Sequence, residues 1–194
     1  MLKAGSDKGL STHNYTTFYN MLFESLIDDE INLFEVGIGT NNPNLPSSMG
    51  PNGIPGASLY GWEEFFIKGQ IFAGDIDRNI LFQTERIKTF YCNQLDSKTI
   101  KEMYDAPELK NVSFDVVIDD GLHTFQANLS FLANSLEKLK TNGIFIIEDL
   151  NPITKQKFSK ILSSLKKRFN LRYITILHIP GSFADDNCLL VIQK

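Results

Sequence analysis

The stretch Phe34-Glu35-Val36-Gly37-Ile38-Gly39-Thr40-Asn41 joins the end of an apolar run to a turn built on two glycines. The run, from Ile31 to Val36, has the length and composition of a short buried strand. Similar apolar runs recur along the chain, and three of them are closed by acidic residues. They span Gln70–Asp75, Phe114–Asp119 and Gly143–Glu148, with a weaker strand at Ile87–Cys92. The sequence therefore predicts five short strands before residue 150.

Segments with helical character separate these strands. Apolar residues from Tyr15 to Leu26 repeat at helical spacing, and further helix-like segments lie near residues 58–67, 97–105, 124–139 and 153–168. Alternating strands and helices predict a parallel sheet that is covered on both faces. Two later strands, Leu171–Ile179 and Cys188–Gln193, have no room for a helix between them and so form an antiparallel pair. The fold class is therefore α/β: a mostly parallel sheet of seven strands with a C-terminal antiparallel hairpin and helices on both faces.

Length and composition are those of an ordinary globular protein. The chain has 194 residues, 42% hydrophobic and 22% charged, which favours a single domain over residues 1–194. A net charge of -4 argues against binding to nucleic acid or to an anionic membrane surface. Two cysteines are too few for a disulfide scaffold, residues 1–9 lack the apolar core of a signal peptide, and no apolar run is long enough to span a bilayer. We therefore expect a cytoplasmic domain with an N-terminal helical segment at 1–30 and a long active-site loop at 40–57.

The glycine turn after the first strand points to a bound cofactor. In doubly wound sheets, ligands lie outside the carboxyl ends of the strands, where Gly37 and Gly39 permit a tight turn and a close backbone approach. A dinucleotide-binding fingerprint needs a further glycine where Asn42 stands, so a nicotinamide cofactor is disfavoured. Glu35, just before the glycines, would repel phosphate and suits a cationic ligand. Because Asp75 ends the second strand, where an acid typically accepts hydrogen bonds from ribose hydroxyls, these residues together predict S-adenosylmethionine.

The next two strand ends carry the residues for chemistry. The fourth strand ends in Asp119-Asp120-Gly121-Leu122-His123, and the fifth ends in Glu148-Asp149-Leu150-Asn151. Because adjacent parallel strands bring such ends together, Asp120 and Asp149 would surround one point, with Glu148 or Asn151 as a further candidate. Carboxylates gathered this closely repel each other unless they are protonated or neutralised by a hard cation such as Mg²⁺. A hydroxyl bound to such a metal loses its proton readily, and His123 can accept that proton as a general base. Helix capping by the strand-end acids is an alternative that is compatible with this role.

The first two strand ends, Glu35-Val36-Gly37-Ile38-Gly39 and Gly74-Asp75-Ile76-Asp77, resemble those of class I S-adenosylmethionine-dependent methyltransferases. The resemblance covers most of the chain and implies a Rossmann-like methyltransferase sheet. It also implies that the glycine turn lines the methionine part of the cofactor and that Asp75 holds the ribose. The adenine contact is left open between Asn93 and Gln94.

The later motifs resemble a narrower group. Asp119-Asp120-Gly121-Leu122-His123, followed by Glu148-Asp149-Leu150, is similar to metal-dependent O-methyltransferases that act on sugars and glycosylated natural products. The layout is also similar to that of catechol-type enzymes. The stretches Lys8–Tyr15 and Ala57–Phe66 are similar to parts of the sugar group as well. The resemblance implies that Asp120 and Asp149 hold Mg²⁺ and that His123 is the base.

The sequence thus predicts an S-adenosylmethionine-dependent, Mg²⁺-assisted O-methyltransferase. Its acceptor would be a small hydroxylated molecule: a sugar, a nucleotide-sugar or a glycosylated compound. The predicted catalytic residues are His123 and Asp120, and the predicted metal ligands are Asp120 and Asp149. The predicted cofactor-binding residues are Glu35, Gly37, Gly39, Asp75, Asp77, Asn93, Gln94 and Asp119. The candidate acceptor contacts are His13, Tyr15, Tyr60, Trp62 and Asn151.

Three alternatives stay open from the sequence. A catechol-type or other phenolic O-methyltransferase would share the metal site but needs an aromatic slot for its acceptor. A non-catalytic cofactor-binding protein would bind the cofactor without turnover. A nicotinamide oxidoreductase is the most distant alternative. Assembly into a homo-oligomer is also left open.

Overall fold

Seven strands form one sheet among residues 5–9, 13–180 and 186–194, the part of the chain that the computed structural model describes. The strands are β1 (Asn32–Val36), β2 (Gln70–Asp75), β3 (Ile87–Tyr91), β4 (Phe114–Asp119), β5 (Leu139–Ile147), β6 (Tyr173–His178) and β7 (Cys188–Gln193). Their order across the sheet is β3-β2-β1-β4-β5-β7-β6. Strands β1 to β5 are parallel, and β7 is antiparallel to both of its neighbours. The predicted fold class and its C-terminal hairpin are confirmed.

Helices cover both faces of this sheet. They are α1 (Tyr15–Phe23), α2 (Ala57–Phe65), α3 (Ser97–Tyr104), α4 (Phe125–Ser135) and α5 (Pro152–Arg168), with 3₁₀ turns at Glu24–Leu26, Arg78–Ile80 and Leu136–Lys138. Successive residues of a strand point to opposite faces, so Leu33 packs in a core with α1 and α2 while Phe34 packs in a core with α3, α4 and α5. None of the helices in the described ranges combines the length and hydropathy that a bilayer crossing requires.

The strand bounds agree with the predicted ones at β2, β4 and β7 and differ most at β5. This strand begins at Leu139 rather than at the predicted Gly143, because Leu139 pairs with Phe114 across a register shift. A short loop leads from β5 to α5. Pro152 takes the first position of this helix, where its missing N–H costs no hydrogen bond. The apolar pattern therefore located the strand ends better than it located the strand starts.

The strand order brings the carboxyl ends of β1, β4 and β5 side by side. The chain leaves β1 for β2 on one side and returns as β4 on the other, which is where doubly wound sheets open a ligand crevice. Backbone bonds continue the pairing just past the strand ends: the Asp120 amide donates to the Val36 carbonyl, and the Glu148 amide donates to the Asp119 carbonyl, both at 2.9 Å. The predicted site residues therefore meet at one edge of the sheet.

Candidate active site

A cavity of about 540 Å³ lies at the carboxyl ends of β1, β2 and β4. Its walls come from the turn after β1, the loop between β1 and α2, and the segment 5–7 that precedes α1. The predicted residues that line it are Gly37, Gly39, Asp75, Asn93, Gln94, Asp120, His123 and Asp149. The cavity thus joins most of the predicted cofactor-binding residues to the predicted metal ligands.

The glycine turn is fixed by its closeness to the end of β4. Gly37 has a φ of 87°, and a Cβ at this position would lie 2.1 Å from the Asp120 carbonyl oxygen. Gly39 has a φ of 79° and lies under the side chain of Met49, which comes from the loop after β1. Only glycine adopts both conformations without strain. The turn therefore presents bare backbone to the cavity, as a close-fitting cofactor requires.

Asp75 lies at the cavity wall, whereas Asp77 lies behind it. Asp75 is 6% exposed, and its carboxylate accepts 2.8 Å hydrogen bonds from the amides of Ile38 and Asp77. Burial raises the pKa of Asp75 above its ordinary value, although these hydrogen bonds act to lower it. The Asp77 carboxylate accepts from the Thr40 hydroxyl at 2.5 Å and from the Asn79 amide at 2.9 Å, and these bonds lower the pKa of Asp77. Asp77 therefore ties the turn together from outside the cavity lining, and its contact with the cofactor stays a prediction.

Asn93 and Gln94 both line the cavity, but the Gln94 amide is already engaged. Its Nε2 donates to Asp119 Oδ1 at 2.6 Å, and its Oε1 accepts from the Leu122 amide at 2.8 Å. Asp119 is fully buried and also accepts from the Asn128 side chain at 3.0 Å. Burial raises the pKa of Asp119 to about 6. Asp119 thus supports the cavity wall from behind, and its role as a cofactor contact stays a prediction.

The predicted metal ligands do converge. Asp120, His123 and Asp149 each place one ligand atom within 4.8 Å of the other two. His123 Nε2 lies 3.9 Å from Asp120 Oδ1 and 4.0 Å from Asp149 Oδ2. His123 and Asp149 have left-handed backbones, with φ values of 54° and 53°. Non-glycine residues rarely adopt this conformation, and such strain concentrates at functional sites.

Residues from the start of the chain hold both aspartates from behind. The Tyr15 hydroxyl donates a 2.7 Å hydrogen bond to Asp149 Oδ1, and His13 Nδ1 lies 3.5 Å from the same oxygen. Burial, then the charge of Asp149, raise the pKa of Tyr15, which keeps its hydroxyl a donor. On the other aspartate, Lys8 Nζ donates to Asp120 Oδ2 at 2.5 Å. Tyr15 and His13 therefore lie beside a predicted metal ligand, although Tyr15 is fully buried and neither lines the cavity.

Lys8 is the centre of a buried ionic network that the sequence reasoning missed. Its side chain is 1% exposed, and its Nζ lies 2.6 Å from Glu148 Oε2 and 3.7 Å from Glu35 Oε1. The Tyr19 hydroxyl donates to the other oxygen of Glu148 at 2.6 Å. Burial alone would lower the pKa of Lys8, but the neighbouring carboxylates raise it well above its ordinary value. The one sequence signal for this role was the position of Lys8 in the Lys8–Tyr15 stretch.

Glu35 and Trp62 lie in the interior and not at the cavity. Glu35 is fully buried and accepts hydrogen bonds from Ser58 Oγ at 2.6 Å and from Trp62 Nε1 at 2.5 Å. The cation beside Glu35 is the Lys8 ammonium, and a contact between Glu35 and the cofactor stays a prediction. Trp62 is 1% exposed and packs in the core with α1, and its acceptor contact likewise stays a prediction.

Two further acceptor candidates also lie away from the cavity lining. Tyr60 is half-exposed and stacks on Phe82 with ring centroids 5.5 Å apart. Asn151 caps α5 by accepting from the Thr154 amide at 3.0 Å, and its side-chain amide donates to the His123 carbonyl at 3.2 Å. Asn151 therefore supports the backbone of His123 and does not form part of the cavity wall, and the acceptor contacts of Tyr60 and Asn151 stay predictions.

Known proteins share this arrangement of strands and helices. A solved structure of MycE methyltransferase from the mycinamycin biosynthetic pathway, in complex with Mg, SAH and mycinamycin VI, matches with a TM-score of 0.68. The match covers 93% of this chain and 49% of that one, at 21% sequence identity. The chain has the class I methyltransferase fold. No protein-family model matches the chain.

Curated relatives agree with the resemblance seen in the sequence. The 8-demethyl-8-alpha-L-rhamnosyl tetracenomycin-C 2'-O-methyltransferase of Streptomyces olivaceus is 27% identical over 149 residues, which are 77% of this chain and 36% of that one. The demethylmacrocin O-methyltransferase of Streptomyces fradiae is 28% identical over 141 residues, covering 72% and 32% of the two chains. The resemblance to sugar O-methyltransferases is confirmed. The chain spans about a third of the length of these relatives.

Proposed function

We propose that this protein is an S-adenosylmethionine-dependent, Mg²⁺-assisted O-methyltransferase that acts on a hydroxyl of a sugar, a nucleotide-sugar or a glycosylated small molecule. One observation carries the proposal: Asp120, His123 and Asp149 converge beside the glycine-walled cavity. The names of the two relatives support it, since both are O-methyltransferases and one acts on a rhamnosyl compound.

The cavity suits a nucleoside cofactor that lacks phosphates. Its volume of about 540 Å³ is in the usual range for small-molecule sites. The turn at Gly37 and Gly39 brings bare backbone to the wall, and Asp75 lies beside it. Its lining includes acidic residues, which suit a sulfonium cation: Asp7, Asp75, Asp120 and Asp149. Gly37, Gly39, Asp75 and Asn93 would hold the cofactor.

The carboxylate pair suits a hard divalent cation. Mg²⁺ prefers oxygen ligands and is commonly held by one or two carboxylates, so Asp120 and Asp149 would be its ligands. Burial, then the charge of Asp120, raise the pKa of Asp149, and a divalent cation would offset the repulsion between the two carboxylates. When bound, S-adenosylmethionine supplies the methyl group and Mg²⁺ lowers the pKa of a coordinated hydroxyl.

His123 acts as the general base in this proposal. Its Nε2 faces Asp120 and Asp149 at about 4 Å, so it accepts the acceptor's proton next to the two ligands. The hydrogen bond from Asn151 to the His123 carbonyl holds the left-handed backbone that aims the ring. Alignment of the hydroxyl with the methyl donor supplies much of the remaining acceleration.

Acceptor selection belongs, in this proposal, to the loop at 40–57 and to the N-terminal segment at 1–30 of a single domain spanning 1–194. Ser48, Met49 and Ile54 from the loop line the cavity, and so do Gly5 and Asp7 from the segment. Asn41 stabilises the loop by donating to the carbonyls of Gly50 and Gly53 at 2.6 and 2.9 Å. The acceptor is a small molecule and not nucleic acid, in keeping with the net charge of -4.

The test is release of S-adenosylhomocysteine from a panel of nucleotide-sugars, glycosides, catechols and RNA, with Mg²⁺ or with chelator. We expect turnover on a glycosidic hydroxyl that chelator abolishes and that Asp120→Asn lowers by about 100-fold or more, since metal stabilisation is worth several kcal/mol. Lys98→Met, at an exposed surface position, serves as the control. Turnover only on catechols would favour the phenolic alternative. Cofactor binding without turnover on any acceptor would favour the non-catalytic one.

A further inference from the structure

Each metal-ligating aspartate uses its two oxygens for different partners. Asp120 directs Oδ2 to Lys8 Nζ at 2.5 Å and Oδ1 toward His123 Nε2 at 3.9 Å. Asp149 directs Oδ1 to the Tyr15 hydroxyl at 2.7 Å and Oδ2 toward the same histidine nitrogen at 4.0 Å. One oxygen of each carboxylate is thus held from behind, and the other is presented to the centre of the site.

Lys8 provides the ionic contact that holds Asp120 from behind. A lysine is almost never fully buried unless it is paired, and Lys8 is paired with Asp120, Glu148 and Glu35. Glu148 and Glu35 have other donors, namely Tyr19 for the first and Ser58 and Trp62 for the second. For Asp120 Oδ2, the Lys8 ammonium is the hydrogen-bond donor found in the described part of the chain. Asp120 therefore depends on Lys8 more than the two glutamates do.

We infer that Lys8 is a positioning residue, which acts through Asp120 to keep Oδ1 turned toward the metal position and so sets the affinity of the site for Mg²⁺. The inference rests on the proposed function. Lys8 does not itself touch the metal position or the cofactor in this assignment. It also fixes the cavity wall, because Ser6 and Asp7 precede it directly and line the cavity.

The direction in which Mg²⁺ affinity changes on removal of Lys8 distinguishes a positioning role for Lys8 from simple charge balance. If Lys8 only neutralised the carboxylates, removing its positive charge would leave a more negative site, and Mg²⁺ would bind more tightly. If Lys8 orients Asp120, its removal frees the carboxylate to turn, and Mg²⁺ binds more weakly. Residues that orient metal ligands typically change metal affinity by about 10- to 100-fold.

The experiment is calorimetric titration of Mg²⁺ into the full chain saturated with S-adenosylhomocysteine, comparing wild type with Lys8→Met. We expect Mg²⁺ affinity to fall by about 10-fold or more. The affinity for S-adenosylhomocysteine should fall as well, because the wall at residues 6–7 loosens. In turnover assays the Mg²⁺ concentration for half-maximal rate should rise more than kcat falls at saturating Mg²⁺. Lys98→Met is the matched control and should leave each value unchanged.

A second variant removes the folding ambiguity. Lys8→Met/Glu148→Gln deletes one buried charge of each sign, so it is expected to fold even if the single variant does not. Weak Mg²⁺ binding that persists in the double variant supports action through Asp120. Unchanged or tighter Mg²⁺ binding in either soluble variant, or full recovery in the double variant, overturns the inference. Wild-type protein that binds no Mg²⁺ would instead count against the proposed function.

Discussion

The Tyr15 hydroxyl donates a 2.7 Å hydrogen bond to Asp149 Oδ1 from a fully buried side chain. Tyr15→Phe removes this donor and leaves an oxygen of a mostly buried carboxylate without it. We expect the variant to lose about 1–3 kcal/mol of unfolding free energy and to bind Mg²⁺ about 10-fold more weakly. Urea unfolding and Mg²⁺ titration measure the two effects. Tyr173→Phe, at an exposed tyrosine, is the control, and equal Mg²⁺ affinity in both variants would contradict the prediction.

His123 is the general base of the proposed function, and its backbone is left-handed. Two substitutions separate the effect on activity from the effect on stability. Asn tolerates the left-handed region far better than Ala, which pays about 1–2 kcal/mol there. We expect His123→Asn to retain most of its stability and to lose about 10²- to 10⁴-fold in kcat, the usual contribution of a general base. His123→Ala should lose the same activity and, in addition, stability. Thermal melts and initial rates report on both, and a His123→Asn enzyme with near wild-type kcat would remove His123 from the mechanism.

Gly37 and Gly50 provide a matched pair for the tight approach of β1 to β4. Both have positive φ values, 87° and 73°, but a Cβ on Gly37 meets the Asp120 carbonyl oxygen whereas a Cβ on Gly50 meets nothing within 4 Å. Gly50→Ala should cost only the left-handed strain of about 1–2 kcal/mol. Gly37→Ala should cost more than that and should also weaken S-adenosylhomocysteine binding, because backbone must shift. Similar melting temperatures for the two variants would show that Gly37 and the Asp120 carbonyl lie further apart than the structure has them.

Trp62 is expected to matter for stability and not for the acceptor. Trp62→Phe removes the Nε1 donor to buried Glu35 Oε2, a change that costs about 1–3 kcal/mol when the acceptor oxygen stays buried. The KM for the acceptor should be unchanged, since Trp62 does not line the cavity. Circular dichroism during urea unfolding gives the stability, and Tyr60→Phe serves as the control. A raised KM with unchanged stability would restore the acceptor contact that the sequence predicted for Trp62.

The sequence was a good guide to the strand ends. Each parallel strand is an apolar run, and at four of the strand ends the last residue or a residue that follows lines the cavity, namely Gly37, Asp75, Asp120 and Asp149. These residues could be found because ligands of doubly wound sheets bind outside the carboxyl ends of the parallel strands, and an apolar run shows where a strand ends.

The sequence was a poor guide to which polar side chains face inward. Glu35 directly precedes the glycine turn, yet its position in the strand directs it to the α1 and α2 face, where Trp62 and Lys8 meet it. The partners of a buried charge come from distant parts of the chain, so local pattern does not reveal them. For the same reason Lys8 stood out only through its place in a resembling stretch.

The support of the two site aspartates depends on contacts between distant parts of the chain. Lys8 and Asp120 are 112 positions apart, and Tyr15 and Asp149 are 134 apart. Closing such large loops carries an entropy cost that sheet pairing between nearby segments does not share. Regain of Mg²⁺ affinity during refolding should therefore follow the docking of the N-terminal segment rather than the formation of the sheet, and a time course of both would show how catalytic competence is acquired.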